Sequence, residues 1–197
     1  MDLIARVAQQ FEASARSTEA AVEVLAAPIA AATELIVTSL LASGKLLACG
    51  QGSGMALAQY GCALLTGHFE RERPELAALL LAGDATASCA GMARYTPDEI
   101  FAKPLRALGH AGDVLLAIGG PGDIGALATV IDAAHQREIA VVLLDALAFE
   151  SAGELLGSQD VHIQVPATRL ARAQELQTLA LHCLCDGIDC LLMGEES

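Results

Sequence analysis

Two copies of one pattern, an apolar run stopped by glycines and followed by a helix-compatible stretch, constrain this chain more than any other feature. The first copy is Leu46-Leu47-Ala48-Cys49, then Gly50-Gln51-Gly52-Ser53-Gly54, then Met55-Ala56-Leu57-Ala58-Gln59-Tyr60. The second is Asp113-Val114-Leu115-Leu116-Ala117-Ile118, then Gly119-Gly120-Pro121-Gly122-Asp123. A strand that turns through glycines into a helix presents backbone N–H groups at the helix's amino end, where the local dipole favours an anion such as phosphate. Two such turns call for an α/β fold with an anion pocket at the carboxyl ends of its strands.

The rest of the chain continues the alternation. Strands are expected at 45–49, 76–82, 114–118, 139–144 and 161–165, and helices at about 54–66, 98–108, 122–136 and 168–193. Short continuous apolar runs separated by helices specify a parallel sheet covered on both faces, here a three-layer fold with five strands. Ahead of it, Leu3, Val7, Phe11, Val24 and Leu25 recur at helical spacing, and Pro28 suits the first turn of a second helix ending near Gly44. The expectation is an N-terminal helical hairpin over 1–44 that serves oligomerisation, followed by the main domain over 45–197.

Composition narrows the function classes. The chain is 54% hydrophobic, yet no window offers about 18 uninterrupted apolar residues, so a membrane span is not expected. The apolar excess instead implies surface buried between subunits, and an oligomer is the expected assembly. Met1-Asp2-Leu3-Ile4-Ala5-Arg6 has neither a basic n-region nor a signal-type apolar run, which points to the cytoplasm. With 24 acidic against 11 basic residues and a net charge of −13, the chain is unsuited to binding nucleic acid directly. The six cysteines (Cys49, Cys62, Cys89, Cys183, Cys185, Cys190) include no CxxC pair with zinc spacing and read as buried thiols.

The two glycine turns, the stretch Arg106-Ala107-Leu108-Gly109-His110-Ala111-Gly112-Asp113 and the run Arg172-Ala173-Gln174-Glu175 together resemble the SIS (sugar isomerase) domain of the phosphoheptose isomerase group. Residues 105–116 and 172–189, with Cys183-Leu184-Cys185-Asp186, are most similar to the DiaA-like branch, whose members associate with the replication initiator DnaA. The resemblance implies a phosphosugar site at the turns, with Gln51, Gly52, Ser53, Gly54, Gly119, Gly120 and Gly122 as ligand-binding residues.

Residue by residue, that site is depleted. The group's first loop, Cys-Gly-Asn-Gly-Gly-Ser, is here Cys49-Gly50-Gln51-Gly52-Ser53-Gly54, with the serine one place early. Its second loop, Ser-Thr-Ser-Gly-Asn-Ser, is here Gly119-Gly120-Pro121-Gly122-Asp123-Ile124, without hydroxyls and with a carboxylate added. The metal-binding His and the acid/base Glu on the following helix fall on Tyr60 and Leu64, and a pocket motif, often Gly-Asn-Asp, falls on Met92-Ala93-Arg94. Only the Gln and His of the last helix remain, as Gln174 and His182, and both also fit ordinary helix positions; His68 and His110 read as surface residues. Moving a proton beside a carbonyl takes a base and an acid. Their loss leads to the expectation of a non-catalytic, DiaA-like protein that binds DnaA, an AAA+ replication initiator, and needs no cofactor. A phosphoheptose isomerase, with zinc only in that case, or a non-catalytic sugar-phosphate sensor are the alternatives.

Overall fold

The structure, a computed structural model, describes residues 2–81 and 96–194. Five parallel strands form one sheet in the order β2-β1-β3-β4-β5, with β1 at Leu46–Gly50, β2 at Ala78–Leu80, β3 at Val114–Ile118, β4 at Ala140–Ala146 and β5 at Val161–Val165. The chain moves outward from β1 to β2, then crosses back to β3 on the other side. Strands β1 and β3 are therefore neighbours, with Ala48 beside Leu116 and Gly50 beside Ile118. Their carboxyl ends meet where the strand order reverses, the place where open α/β sheets bind ligands.

The continuous apolar runs work as expected of a sheet buried on both faces. Leu46, Ala48, Leu116, Ile118, Val142 and Leu144 face one layer, which holds α1 (Leu3–Leu41), α2 (Gly54–Thr66) and α5 (Leu170–Met193). Leu47, Cys49, Leu115, Ala117, Val141 and Leu143 face the other, which holds α3 (Ala102–Leu108) and α4 (Gly125–His135).

The expected N-terminal hairpin is corrected: α1 is one helix of 39 residues that runs straight through Pro28. Pro28 removes one backbone donor and crowds the preceding turn, at a cost of roughly 3 kcal/mol in a helix interior. Ala26-Ala27-Pro28-Ile29-Ala30 contains no glycine or asparagine to reverse the chain. Burial on both sides of the proline, at Ala21 and Leu25 before it and at Ala32, Ile36 and Val37 after it, holds one axis. These residues share the core with the strands, so α1 belongs to the same packed unit as the sheet. Pro28→Ala is expected to raise stability by about 1–3 kcal/mol, measured by urea unfolding; a loss would mean that the proline ring itself is needed for packing.

Helix α1 is fastened to the start of α5 by polar contacts. Arg172 donates to the Gln10 carbonyl at 2.7 Å and pairs with Glu175, which accepts from the Ser14 hydroxyl at 2.7 Å. The Arg172–Glu175 stretch that looked branch-specific in sequence is thus a docking device for α1. By length and composition α1 and α5 could each cross a membrane. Here the apolar side of α5, through Leu176, Ala180, Leu181, Leu184 and Ile188, covers the sheet.

Behind the site, the C-terminal turn of α2 is closed by Arg73. Its guanidinium donates to the carbonyls of Leu64 (2.8 Å), Leu65 (2.9 Å), Gly67 (3.2 Å) and Pro74 (3.1 Å), and to Asp189 of α5 at 2.5 Å. Both partners of this ion pair are 1% exposed.

Three thiols follow the apolar reading, whereas Cys183 is exposed and Cys190 half-buried, and Cys89 lies outside the described residues. Cys49, Cys62 and Cys185 are buried and unpaired. Burial pushes the Cys62 thiol up to about 11 and the Cys185 thiol up to about 12, while Cys49, wholly enclosed beside Cys62, is raised furthest. A raised thiol is protonated below its own pKa, so at pH 8 the reactive thiolate of Cys62 amounts to about one part in a thousand. Native protein treated with a maleimide at pH 8 is expected to be modified at exposed Cys183 and spared at Cys49, Cys62 and Cys185. Peptide mass mapping checks this, and labelling of the three without denaturant would contradict the core packing.

Candidate active site at the two glycine turns

The two turns leave the sheet side by side and pack directly on each other. A Cβ on Gly120 would lie 2.0 Å from the Gln51 carbonyl oxygen, and one on Gly52 would lie 2.8 Å from the Pro121 carbonyl oxygen. Gly52 has φ +54° and Gly122 has φ +127°, conformations that side-chain-bearing residues rarely adopt. The backbone of the first turn is closed by Gln51 N–H to the Ile118 carbonyl (2.9 Å) and Gly54 N–H to the Gln51 carbonyl (2.8 Å). The Gln51 side chain bridges the turns by donating to the Asp123 carbonyl. All seven ligand-binding candidates (Gln51, Gly52, Ser53, Gly54, Gly119, Gly120 and Gly122) therefore come together, although 65 or more residues separate the two sets in sequence.

The turns differ in what they offer an anion. At the first, Ser53 stands at the amino end of α2 without capping the helix, and its enclosed Oγ has no hydrogen-bond partner. The Gln51 Oε1 is enclosed and unpartnered as well. The hydroxyl that sequence comparison counted as lost is thus present one residue early, at a helix end with its bonding capacity unspent. At the second turn the chain supplies its own anions. Asp123 folds back to accept from the Gly125 N–H at 2.8 Å, and the Asp98 carboxylate lies where a Gly125 Cβ would be 2.6 Å from it. The amino end of α4 is filled by these carboxylates.

Two further residues hold the second turn and were not singled out in the sequence. Gln177, fully buried on α5, donates to the carbonyls of Gly119 (2.8 Å) and Leu144 (3.3 Å). Asp145, at the end of β4 against Gly119, accepts from His162 at 2.9 Å and from Ser151. The oxygens of this buried carboxylate are taken up by Ser151 in the loop that follows β4 and by His162 on β5. A polar residue at the end of a buried apolar strand was the available signal for Asp145; Gln177 carried only its place three residues after Gln174.

On the other side of the turns stand α2 and α5. Tyr60 lies six residues into α2, about 9 Å along its axis from Gly54 at 1.5 Å per residue. Its hydroxyl is 3.1 Å from His182 Nε2 on α5, and the two rings meet edge to face with centroids 5.7 Å apart. Phe69 covers the imidazole from another side at 5.4 Å. His182 is half-buried between them. Gln174 is also half-buried, but lies about 12 Å along α5 from His182. The structure does not bring these two retained side chains into contact. Leu64 packs against the core. His68 and His110 are exposed, and Met92-Ala93-Arg94 lies outside the described residues.

This donor set does not fit a zinc ion within one chain. Tyr60 and Leu64 stand where the resemblance implies a metal-binding His and an acid/base Glu, and His182 Nε2 is engaged by Tyr60. Among the described residues no three His, Cys, Asp or Glu side chains cluster closely enough to hold a metal.

Comparison with known proteins places this geometry in context. A model of the SIS domain matches residues 9–145. A phosphoheptose isomerase of Azoarcus sp. (strain BH72) is 50% identical over 196 residues, covering 100% of both chains. Another from Aromatoleum aromaticum is also 50% identical, over 100% of this chain and 99% of its own. Among solved structures, the phosphoheptose isomerase GmhA of Neisseria gonorrhoeae superposes with a TM-score of 0.86 at 38% identity, over 95% of this chain and 99% of its own. That of Francisella tularensis superposes with a TM-score of 0.90 at 34% identity, over 96% and 99%. These full-length relatives overturn the expectation of a non-catalytic protein that binds the replication initiator: proteins sharing half of this sequence from end to end carry the name of the enzyme. Position by position the site is depleted, whereas in the folded chain a serine hydroxyl stands one place early and a phenol joins the histidine.

Proposed function

We propose that this chain, which belongs to the SIS-domain family, interconverts the ketose and aldose forms of a phosphorylated seven-carbon sugar, sedoheptulose 7-phosphate and mannoheptose 7-phosphate. One observation carries the reading. His182 lies against α2, the helix that begins at the first glycine turn, so one rigid element links an anion hold to a group that can move a proton. The names of the full-length relatives support it.

In this reading the phosphate sits on the first turn, held by backbone N–H groups at the start of α2 and by the Ser53 hydroxyl. The second turn shapes the pocket wall without lending a helix end, because Asp98 and Asp123 fill the start of α4. A phosphate near Asp123 would meet like charge; at about 5 Å and an effective dielectric near 20 the repulsion is roughly 3 kcal/mol per unit charge pair. The sugar therefore extends from the first turn along α2 towards Tyr60 and His182. The His182 imidazole takes part in moving the proton between the two carbons, and Gln174, on the same helix, orients sugar hydroxyls through its amide.

The test is direct. Purified protein incubated with sedoheptulose 7-phosphate and followed by 13C NMR is expected to form the aldose to equilibrium. Leu64, an apolar side chain in the position of the group's carboxylate, favours a second reading in which the sugar phosphate binds without reacting. A rise in melting temperature with the sugar phosphate, without any aldose signal, would establish that reading in place of the first.

The assembly proposed is a homotetramer in the cytoplasm. The first turns of α1 expose an apolar ridge, Leu3 at 65%, Ile4 at 82% and Phe11 at 74%, which a second copy of the chain would cover.

A further inference from the structure

We infer that Tyr60 and His182 act together as a proton-moving pair that needs no metal ion, Tyr60 replacing in function the carboxylate whose position is held by Leu64. The inference rests on the isomerase reading and adds to it the identity of the group that touches the sugar.

Three observations carry it. The Tyr60 hydroxyl lies 3.1 Å from His182 Nε2, within hydrogen-bond reach. The imidazole is fixed by two aromatic rings, Tyr60 edge-on and Phe69 on a tilted face, so the pair is held in one geometry before any sugar arrives. Among the described residues the donors do not suit zinc: no three metal-ligating side chains cluster, a phenol and a leucine stand on α2 facing His182's helix, and Nε2 is already bonded. The phenol is 41% exposed, facing outward from α2 on the helix that starts at the first glycine turn.

The step balances as follows. With hydrogen on Nδ1, His182 accepts the Tyr60 hydroxyl hydrogen at Nε2. Tyr60 Oη takes a proton from ketose C1 while its own hydrogen passes to Nε2, and the electron pair of the C1–H bond moves into an enediolate with its charge on O2. The products of this half-step are neutral tyrosine, an imidazolium and the enediolate. The hydroxyl proton on O1 shifts to O2, the imidazolium returns its hydrogen to Oη, and Oη delivers one to C2, giving the aldose and the starting pair. No oxidant or reductant enters.

The experiment compares wild type with Tyr60→Phe, which keeps the ring packing and removes only the hydroxyl, after dialysis of both against EDTA. The wild type is expected to keep its rate and to contain far less than one zinc per chain by elemental analysis. Tyr60→Phe is expected to lose about 100-fold or more in kcat, the scale of general acid–base catalysis, with KM little changed. The 15N resonance of His182 Nε2 is expected to shift in the variant as the hydrogen bond is lost, a readout that does not depend on turnover. Wild-type activity that is lost on EDTA treatment and restored by zinc would overturn the pair and leave the isomerase standing. So would an unimpaired Tyr60→Phe. A wild type with no conversion under any condition removes the isomerase reading itself, and the pair with it.

Discussion

Replacing Arg73 by methionine is expected to lower the unfolding free energy by about 3–5 kcal/mol, the usual cost of stripping one partner from a buried ion pair. The guanidinium and the Asp189 carboxylate are each 1% exposed and 2.5 Å apart. Removing the cation leaves Asp189 charged or forces it to take up a proton, with its Oδ2 already lacking a partner. Three carbonyls at the end of α2, those of Leu64, Leu65 and Gly67, and that of Pro74 in the following segment lose their donor in the same stroke. For a domain of this size, about 2–4 °C per kcal/mol, the melting temperature is expected to fall by about 6–20 °C. Differential scanning calorimetry measures it. The double variant Arg73→Met, Asp189→Leu is expected to recover part of the loss, because paired apolar replacements remove the stranded charge. A single-variant loss below 1 kcal/mol would mean that water reaches this pair. The pair joins α2 to α5, the two helices that carry Tyr60 and His182, so its removal is also expected to loosen the site.

Removing the imidazole of His182 is the second large effect. His182→Ala is expected to lower kcat by about 10²–10⁴, the contribution typical of a positioned general base. KM is expected to change far less, since the phosphate is held at the first turn, about 9 Å by helix rise along α2 from Tyr60, the partner of His182. The alanine variant also leaves Tyr60 and Phe69 without the ring they pack against. His182→Asn, which fills more of that space but takes up no proton, separates the two effects. Steady-state kinetics on both variants, with circular dichroism to establish folding, decides the matter. Equal losses in the two assign the effect to proton transfer, and an asparagine variant with near-normal kcat would assign it to packing.

The sheet was legible because a strand buried on both faces is an uninterrupted apolar run with a glycine or polar stop. Val114–Ile118 is such a run and coincides with the expected limits; so do Val161–Val165, a half-buried edge strand interrupted by His162 and Gln164, and the helix at 54–66. Pro28 misled because its local message, the start of a helix, is overruled by burial of Ala32, Ile36 and Val37 against strands much later in the chain. The glycine turns identified the site's location, and their mutual contact shows why Gly120 carries no side chain. What remained hidden was pairing across distance. Ser53 was counted as misplaced until its enclosed hydroxyl was seen at the start of α2. Asp123 read only as a carboxylate added to the loop, and in the fold it accepts from the Gly125 N–H and fills the start of α4 alongside Asp98. Tyr60 was read as an absent metal ligand, since its partner His182 lies 122 residues further along the chain. Substitutions at single positions report which group has gone; the new neighbour that replaces it belongs to the folded chain.

Deuterium uptake tests the central claim, that this site moves a proton between adjacent sugar carbons, most directly. Purified protein is mixed with sedoheptulose 7-phosphate in D2O, and the recovered sugars are analysed by proton NMR and mass spectrometry. The account predicts deuterium on the carbon beside the carbonyl, accumulating with enzyme and time and absent with His182→Ala. Sugar recovered free of deuterium from protein shown by thermal shift to be saturated with it would contradict the account.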